Sequence, residues 1–131
     1  MMNYIPLSKL LFLDIETVPM CSQYDEMPEN FKALWDKKAG YLKKEEDDTP
    51  TTLFPRAGIY AEFGKVVCIS FGMLIDGNFR IKSFYGDDEK VVLQDFASLL
   101  ETRFSSKEFL LCAHNGKEFD FPYLSRRMLI N

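Results

Sequence analysis

Two acidic residues separated by one position, Asp14 and Glu16, follow the apolar run 10–13. In a β-strand, side chains two positions apart point to the same face, so these two carboxylates should project side by side. Like charges held together raise each other's proton affinity, and a divalent cation relieves the repulsion. Carboxylate oxygens are the ligands that Mg²⁺ and Mn²⁺ prefer. The alternative is an ordinary strand end with solvated acids, and the pair alone favours neither interpretation.

A third acid, Asp120, follows a second apolar run at 109–113 and a turn at 114–117. Taken by itself, an Asp before Phe121-Pro122 is most often the N-cap of a helix. The turn contains the only histidine of the chain, His114. A single His in a turn is more often a hydrogen-bonded structural residue than a ligand.

The elements that must position these acids are strands and helices in mixed order. The pattern predicts strands that begin at Leu10 and cover 65–74, 79–84 and 109–113, with a tight hairpin turn at Asp76-Gly77. Helices are predicted after Pro28, from the stretch 86–89, and with Pro122 in the first turn of a last helix. The region 17–64 is too long for a plain loop and should carry helices of its own. We therefore expect an α/β domain.

Composition limits the classes to which the protein can belong. The chain has 131 residues, 47% of them hydrophobic, which fits one globular domain. Three widely spaced cysteines and one histidine do not favour a disulfide framework or a zinc site. The net charge of −4 argues against a protein that binds nucleic acid non-specifically through a basic surface. It does not argue against an enzyme that binds phosphate groups through metal ions, because those cations reverse the local charge. We expect no membrane span, no signal peptide and a cytoplasmic location.

Taken together, two stretches of the chain resemble the motifs of a known enzyme family. Asp14-Ile15-Glu16 matches an Asp-x-Glu motif at the end of a first strand, and residues 115–120 match Asn-x-x-x-Phe-Asp after a fourth strand. Both motifs, in this order, are similar to those of the DEDD family of 3′–5′ exonucleases, and in particular to the proofreading domains of family B DNA polymerases. The resemblance spans residues 10–131, and the segment 17–64 is its least diagnostic part.

The resemblance implies a ribonuclease-H-like fold, with a mixed sheet of three antiparallel strands, a parallel fourth strand and flanking helices. It also implies a site for two Mg²⁺ or Mn²⁺ ions. Asp14 would bridge both ions, Glu16 would complete one site, and Asp120 would hold the other ion, partly through water. Ions about 4 Å apart can stabilise the attacking and the leaving oxygen during cleavage of a phosphodiester.

Further positions of the family motifs imply contacts to the substrate. Thr17, Asn115 and Phe119 match these positions, and His114 matches another less securely. A hydroxyl and an amide could bond the terminal nucleotide, and the ring could stack on a base. Without the motifs, the same residues would be a strand end, two turn residues and a core ring. The implied substrate is single-stranded DNA, with RNA as the alternative.

The chain departs from the family where a third motif, Tyr-x-x-x-Asp or His-x-x-x-Asp, would supply a fourth carboxylate. No segment after Asp120 matches it. We therefore expect residues 1–131 to form a single partial exonuclease domain that lacks its C-terminal part, with 17–64 inserted between the first two strands. Such a chain should bind metal ions weakly and cleave its substrate slowly. The missing fifth strand would leave the edge of strand 109–113 open to a second copy.

Two other classes of function fit the same sequence. A ribonuclease-H-like module could grip a nucleic-acid end without cutting it. Alternatively, a structural domain could pair through its open sheet edge. Metal-dependent cleavage distinguishes the exonuclease from both, and dimerisation without affinity for nucleic acid would favour the structural domain.

Overall fold

A computed structural model describes residues 4–131, which divide into two compact units. The first unit combines residues 4–16 with 66–131, and the second is Thr17–Lys65. The two long strands that connect the units, β1 and β2, each begin in one unit and end in the other. Each unit is described separately below.

A four-stranded mixed sheet forms the frame of the first unit. Its strands are β1 (Leu10–Pro19), β2 (Gly64–Ile75), β3 (Asn78–Tyr85) and β4 (Leu110–Cys112). They lie in the order β3-β2-β1-β4, and β1 pairs parallel with β4 while the remaining pairs are antiparallel. The predicted α/β class and the mixed sheet with one parallel pair are therefore confirmed. β4 is shorter than the predicted 109–113.

Alternation in β1 decides which side chains face the interior. The side chains at 11, 13 and 15 are buried, with Leu11, Leu13 and Ile15 at most 6% exposed. Asp14, which lies between two of them, and Glu16, which follows them, are exposed. The burial pattern is the one that a strand with one covered face requires. It places both carboxylates on the face opposite to the buried side chains.

The predicted hairpin between β2 and β3 is confirmed. Asp76 has φ 50° and Gly77 has φ 76°, the conformation of a tight two-residue turn. Because β2 and β3 are in direct register from Cys68 opposite Tyr85 to Ile75 opposite Asn78, side chains of paired residues share a face. This register determines which β3 residues lie on the same side as the helix described next.

Helix α3 (Glu89–Arg103) covers one face of the sheet. Asp88 caps it by accepting hydrogen bonds from the backbone N–H groups of Lys90 and Val91. Phe96 is buried, and its ring lies 6.1 Å from the ring of Phe71 on β2. The covered face of the sheet and α3 together form the core of the first unit.

The second unit consists of helix α1 (Glu29–Leu42), the short helix α2 (Pro50–Leu53) and the 3₁₀ turn Phe54–Ile59. Its core is aromatic. Trp35 is fully buried, packs edge-on against Phe54 and Phe63, and donates from Nε1 to the carbonyl of Pro50 at 2.8 Å. The predicted helix after Pro28 is confirmed.

A last helix, α4 (Asp120–Ile130), completes the first unit. Pro122 lies in its first turn, as predicted. Asp120 is its first helical residue, and the N-cap position belongs to Phe119 rather than to Asp120. None of the helices formed by residues 4–131 has both the length and the apolar character needed to cross a bilayer.

Candidate functional site

The parallel pairing of β1 and β4 determines where the third acid lies. Leu10 is opposite Leu110, and Phe12 is opposite Cys112. Both strands therefore run toward the same edge of the sheet, where β1 reaches Asp14 and β4 leads into the turn before α4. Two motifs far apart in the sequence meet at this edge because the strands that carry them are neighbours and point the same way.

The turn between β4 and α4 is tightly packed. Asn115 has φ 54°, and its carbonyl accepts from the N–H groups of Glu118 and Phe119 at 3.1 and 3.0 Å. Gly116 is buried, and a Cβ there would lie 2.6 Å from Cβ of Ala113 and 2.9 Å from the ring of Phe121. Only glycine fits this position without displacing its neighbours.

Asp120 lies near Asp14, the first acid of the Asp14–Glu16 pair. Its side chain is only 3% exposed, and its carboxylate accepts a hydrogen bond from the backbone N–H of Ile15. Burial raises the pKa of Asp120 and the charge of Asp14 raises it further, whereas the bonds from its own N–H and that of Ile15 and the proximity of His114 act in the opposite direction. The net pKa lies above its usual value, chiefly because the carboxyl group is buried and secondly because of the charge of Asp14.

The metal prediction requires that this donor set fit a divalent cation. Asp14 and Asp120 offer hard oxygen ligands that repel each other, and such a pair is stabilised by a cation. Within residues 4–131, however, no three His, Cys, Asp or Glu side chains are close enough together to hold a metal ion. Asp14, Glu16 and Asp120 therefore do not form a closed three-carboxylate cage in this structure. The chemistry of the Asp14–Asp120 pair fits a hard cation, and Glu16 is the side chain that would have to join it.

The residues predicted to contact substrate occupy different surroundings. His114 and Asn115 are exposed in the turn before α4. Phe119 is half-buried, and its ring centroid lies 5.4 Å from that of Tyr123. Thr17 is half-buried on β1, at the first position of the second unit. The structure thus brings His114, Asn115 and Phe119 to the turn that leads into Asp120.

A buried ion pair that sequence reasoning missed fixes α3 to α4. Glu89 Oε1 accepts from the N–H of Val66 at 2.7 Å and from Arg127 Nε at 2.8 Å, and Oε2 accepts from Arg127 Nη2 at 2.5 Å. Asn131 Nδ2 also donates to Oε2 at 2.9 Å. Sequence alone gave no signal for this pair, because Glu89 looks like one more acid at a helix start.

The pKa of Glu89 reflects the hydrogen bonds that its carboxylate accepts. Burial would raise it, but the hydrogen bonds from Arg127, Val66 and Asn131 hold the pKa of Glu89 below its usual value. Glu89 is thus ionised and bound on both oxygens. It holds the helix that begins at Asp120, and is a positioning residue rather than a member of the site.

Comparison with known proteins adds no relative: no family model, no curated protein and no solved structure matches this chain.

Proposed function

We propose that this protein is a metal-dependent 3′–5′ exonuclease that hydrolyses phosphodiester bonds of single-stranded DNA, with RNA as the alternative substrate. The main support for the proposal is the position of Asp120. Its carboxylate is buried, accepts a hydrogen bond from the N–H of Ile15, and has its pKa raised in part by the charge of Asp14. Buried acids with a raised pKa are characteristic of functional sites. The two sequence motifs that resemble the DEDD family are the second support.

In this proposal the acids of the two motifs are the metal ligands. Asp14 and Asp120 would hold Mg²⁺ or Mn²⁺ together with Glu16, and the ions would supply charge stabilisation at the phosphoryl oxygens and a lowered pKa for the attacking water. Asn115 and Thr17 would bond the terminal nucleotide, Phe119 would stack on a base, and His114 would lie beside them. The two motifs supply three carboxylates, whereas the complete family site has four. We therefore expect this chain to bind the ions weakly and to hydrolyse the substrate slowly.

The test is cleavage of a 5′-labelled single-stranded oligonucleotide in the presence of Mn²⁺ or Mg²⁺. We expect a ladder that shortens from the 3′ end, is slow, and disappears on addition of a chelator. Asp14→Asn and Asp120→Asn should each lower the rate by about 100-fold or more, since each removes charge that stabilises the transition state. Asp95→Asn is the matched control, because Asp95 is an exposed acid on α3, and it should cleave like the unmodified protein.

The same samples decide between the proposal and its alternative. Binding of the labelled strand without cleavage at any metal concentration would favour the non-catalytic nucleic-acid-end-binding module. Cleavage that survives both substitutions would show that other residues carry it. Absence of both binding and cleavage would contradict the nucleic-acid assignment altogether.

A further inference from the structure

A cleft lies in the first unit, on the face of the sheet that α3 covers. Its volume is about 560 Å³, and its apolar lining includes Phe71 and Met73 of β2, Leu99 of α3, and Phe104 and Phe109 from the segment before β4. None of Asp14, Glu16 and Asp120 lines it, so this cleft is separate from the candidate metal site.

Three cationic side chains surround the apolar lining. Arg80 is opposite Met73 in the β2–β3 register, and Lys82 is opposite Phe71, so both cations stand on the face that carries the lining. Arg103 follows Leu99 by four residues on α3 and shares its helix face. All three line the cleft.

These cations lack an acidic partner within the part of the chain that the structure describes. No hydrogen bond or ion pair joins the side chains of Arg80, Lys82 or Arg103 to another residue in 4–131, and Lys82 only lies 4.8 Å from the centroid of the Phe84 ring. No Asp or Glu of these residues lines the cleft, although the chain has 20 acidic and 16 basic residues. The positive potential of the cleft is therefore local, against a negative net charge.

We propose that this cleft binds a small organic anion with an apolar body and one acidic group, a carboxylate or a phosphate. A volume of about 560 Å³ falls in the range of small-molecule sites, which are mostly apolar with a few oriented polar groups. The apolar body would cover Phe71 and Leu99, and the acidic group would meet the guanidinium groups of Arg80 and Arg103, whose planar donors suit both oxyanions. A neutral ligand of the same shape would leave the cations without a counter-charge.

Two fluorescent probes of nearly the same shape test this. 8-Anilinonaphthalene-1-sulfonate carries an anionic group on an apolar body, and N-phenyl-1-naphthylamine has the same body without the charge. We expect the anion to bind at one site per chain, at least about 10-fold more tightly than the neutral probe, since a hydrogen bond to a charged group contributes at least that much. Increasing salt should weaken binding of the anion only.

Substitutions locate the binding. Arg80→Gln and Arg103→Gln should each weaken binding of the anionic probe about 10-fold and leave the neutral probe unaffected. Lys44→Gln is the control, because Lys44 is an exposed cation of the second unit. Equal affinity for the two probes, or full affinity in both arginine variants with unchanged circular dichroism, would overturn the proposal.

Competition identifies the acidic group. Displacement of the bound anionic probe by octanoate alone assigns a carboxylate ligand, and displacement by octyl phosphate alone assigns a phosphate ligand. Displacement by both supports a site that accepts either oxyanion. Failure of both, at concentrations where neither forms micelles, would contradict the proposal.

Discussion

At the scale of single residues, Asp120 combines burial with a like-charged neighbour. Its folded pKa is raised by loss of solvent and by Asp14. Between the reference value of 3.8 and the folded pKa, the folded state therefore binds more protons than the unfolded state, and stability falls as the pH rises through this window. A feature that lowers stability at neutral pH is typical of a residue kept for function.

Asp14→Asn should lower the pKa of Asp120, because it removes the repelling charge and leaves a side chain of the same size. The measurement is a ¹³C NMR titration of the Asp120 carboxyl group. Glu16→Gln is the control, since Glu16 is not among the charges that act on Asp120, and it should leave the Asp120 titration unchanged. An equal response to both substitutions would show that the raised pKa comes from the net charge rather than from this pair.

The side-by-side exposure of Asp14 and Glu16 was predictable from sequence, because the period of a strand is two and the neighbours Leu13 and Ile15 are apolar. The position of Asp120 near Asp14 was not predictable from spacing. It depends on β4 pairing parallel with β1. The apolar run 109–113 fits a buried parallel strand, but its pairing with β1 in particular was suggested by the resemblance of the two motifs.

At the scale of elements, the Glu89–Arg127 pair fastens α4 to α3 and to the start of β2. Breaking a buried pair leaves the remaining charge poorly compensated, and this costs about 3–5 kcal/mol. The pair therefore contributes to holding α4, and with it Asp120, in place.

We expect Glu89→Gln to lower the free energy of unfolding by about 3 kcal/mol at pH 7. The pKa of Glu89 is lowered from 4.5 in the folded protein, so its contribution is present above that value and is lost as the pH falls through the folded pKa. The difference between variant and unmodified protein should therefore shrink in acid. Urea unfolding followed by circular dichroism at several pH values measures it.

Glu108→Gln is the control for this prediction. Glu108 also forms an ion pair, to Lys9 at 2.7 Å, but both side chains are substantially exposed. Exposed pairs contribute little to stability. A loss of stability in Glu108→Gln as large as that in Glu89→Gln would contradict the role given to burial.

Elements with strong local signals were predictable, and those that depend on distant partners were less so. The Asp76-Gly77 turn, the cap at Asp88 and the helix after Pro28 follow from local chemistry. The acids at 86–89 were all assigned to the helix start, and for Glu89 this interpretation is incomplete: its carboxylate is turned toward Arg127, which is distant in sequence. β4 is one residue shorter at each end than the apolar run 109–113 from which it was predicted, because only residues 110–112 pair with β1.

At the scale of the whole molecule, β4 is the last strand of the sheet, and no further strand pairs with its outer edge within residues 4–131. Leu110 and Leu111 are each 43% exposed. An apolar open edge is a template for pairing with another chain. We propose weak self-association through this edge.

Leu110→Lys should reduce self-association, because a charged side chain on an edge strand opposes pairing with a second copy. Light scattering after size-exclusion chromatography over a range of protein concentrations measures the effect. Leu129→Lys is the matched control: Leu129 is 88% exposed on α4 and belongs to no strand. A monomer at every concentration, or equal behaviour of the two variants, would contradict pairing through β4.

The parallel contact between residues 10–12 and 110–112 also has a consequence for biogenesis. A ribosome makes residues 10–12 about 100 residues before residues 110–112, so β1 lacks this neighbour until the second segment has been made. Closure of so long a loop is slow and entropically costly. We therefore expect the proximity of Asp14 and Asp120 to arise only after residues 110–120 have emerged from the ribosome.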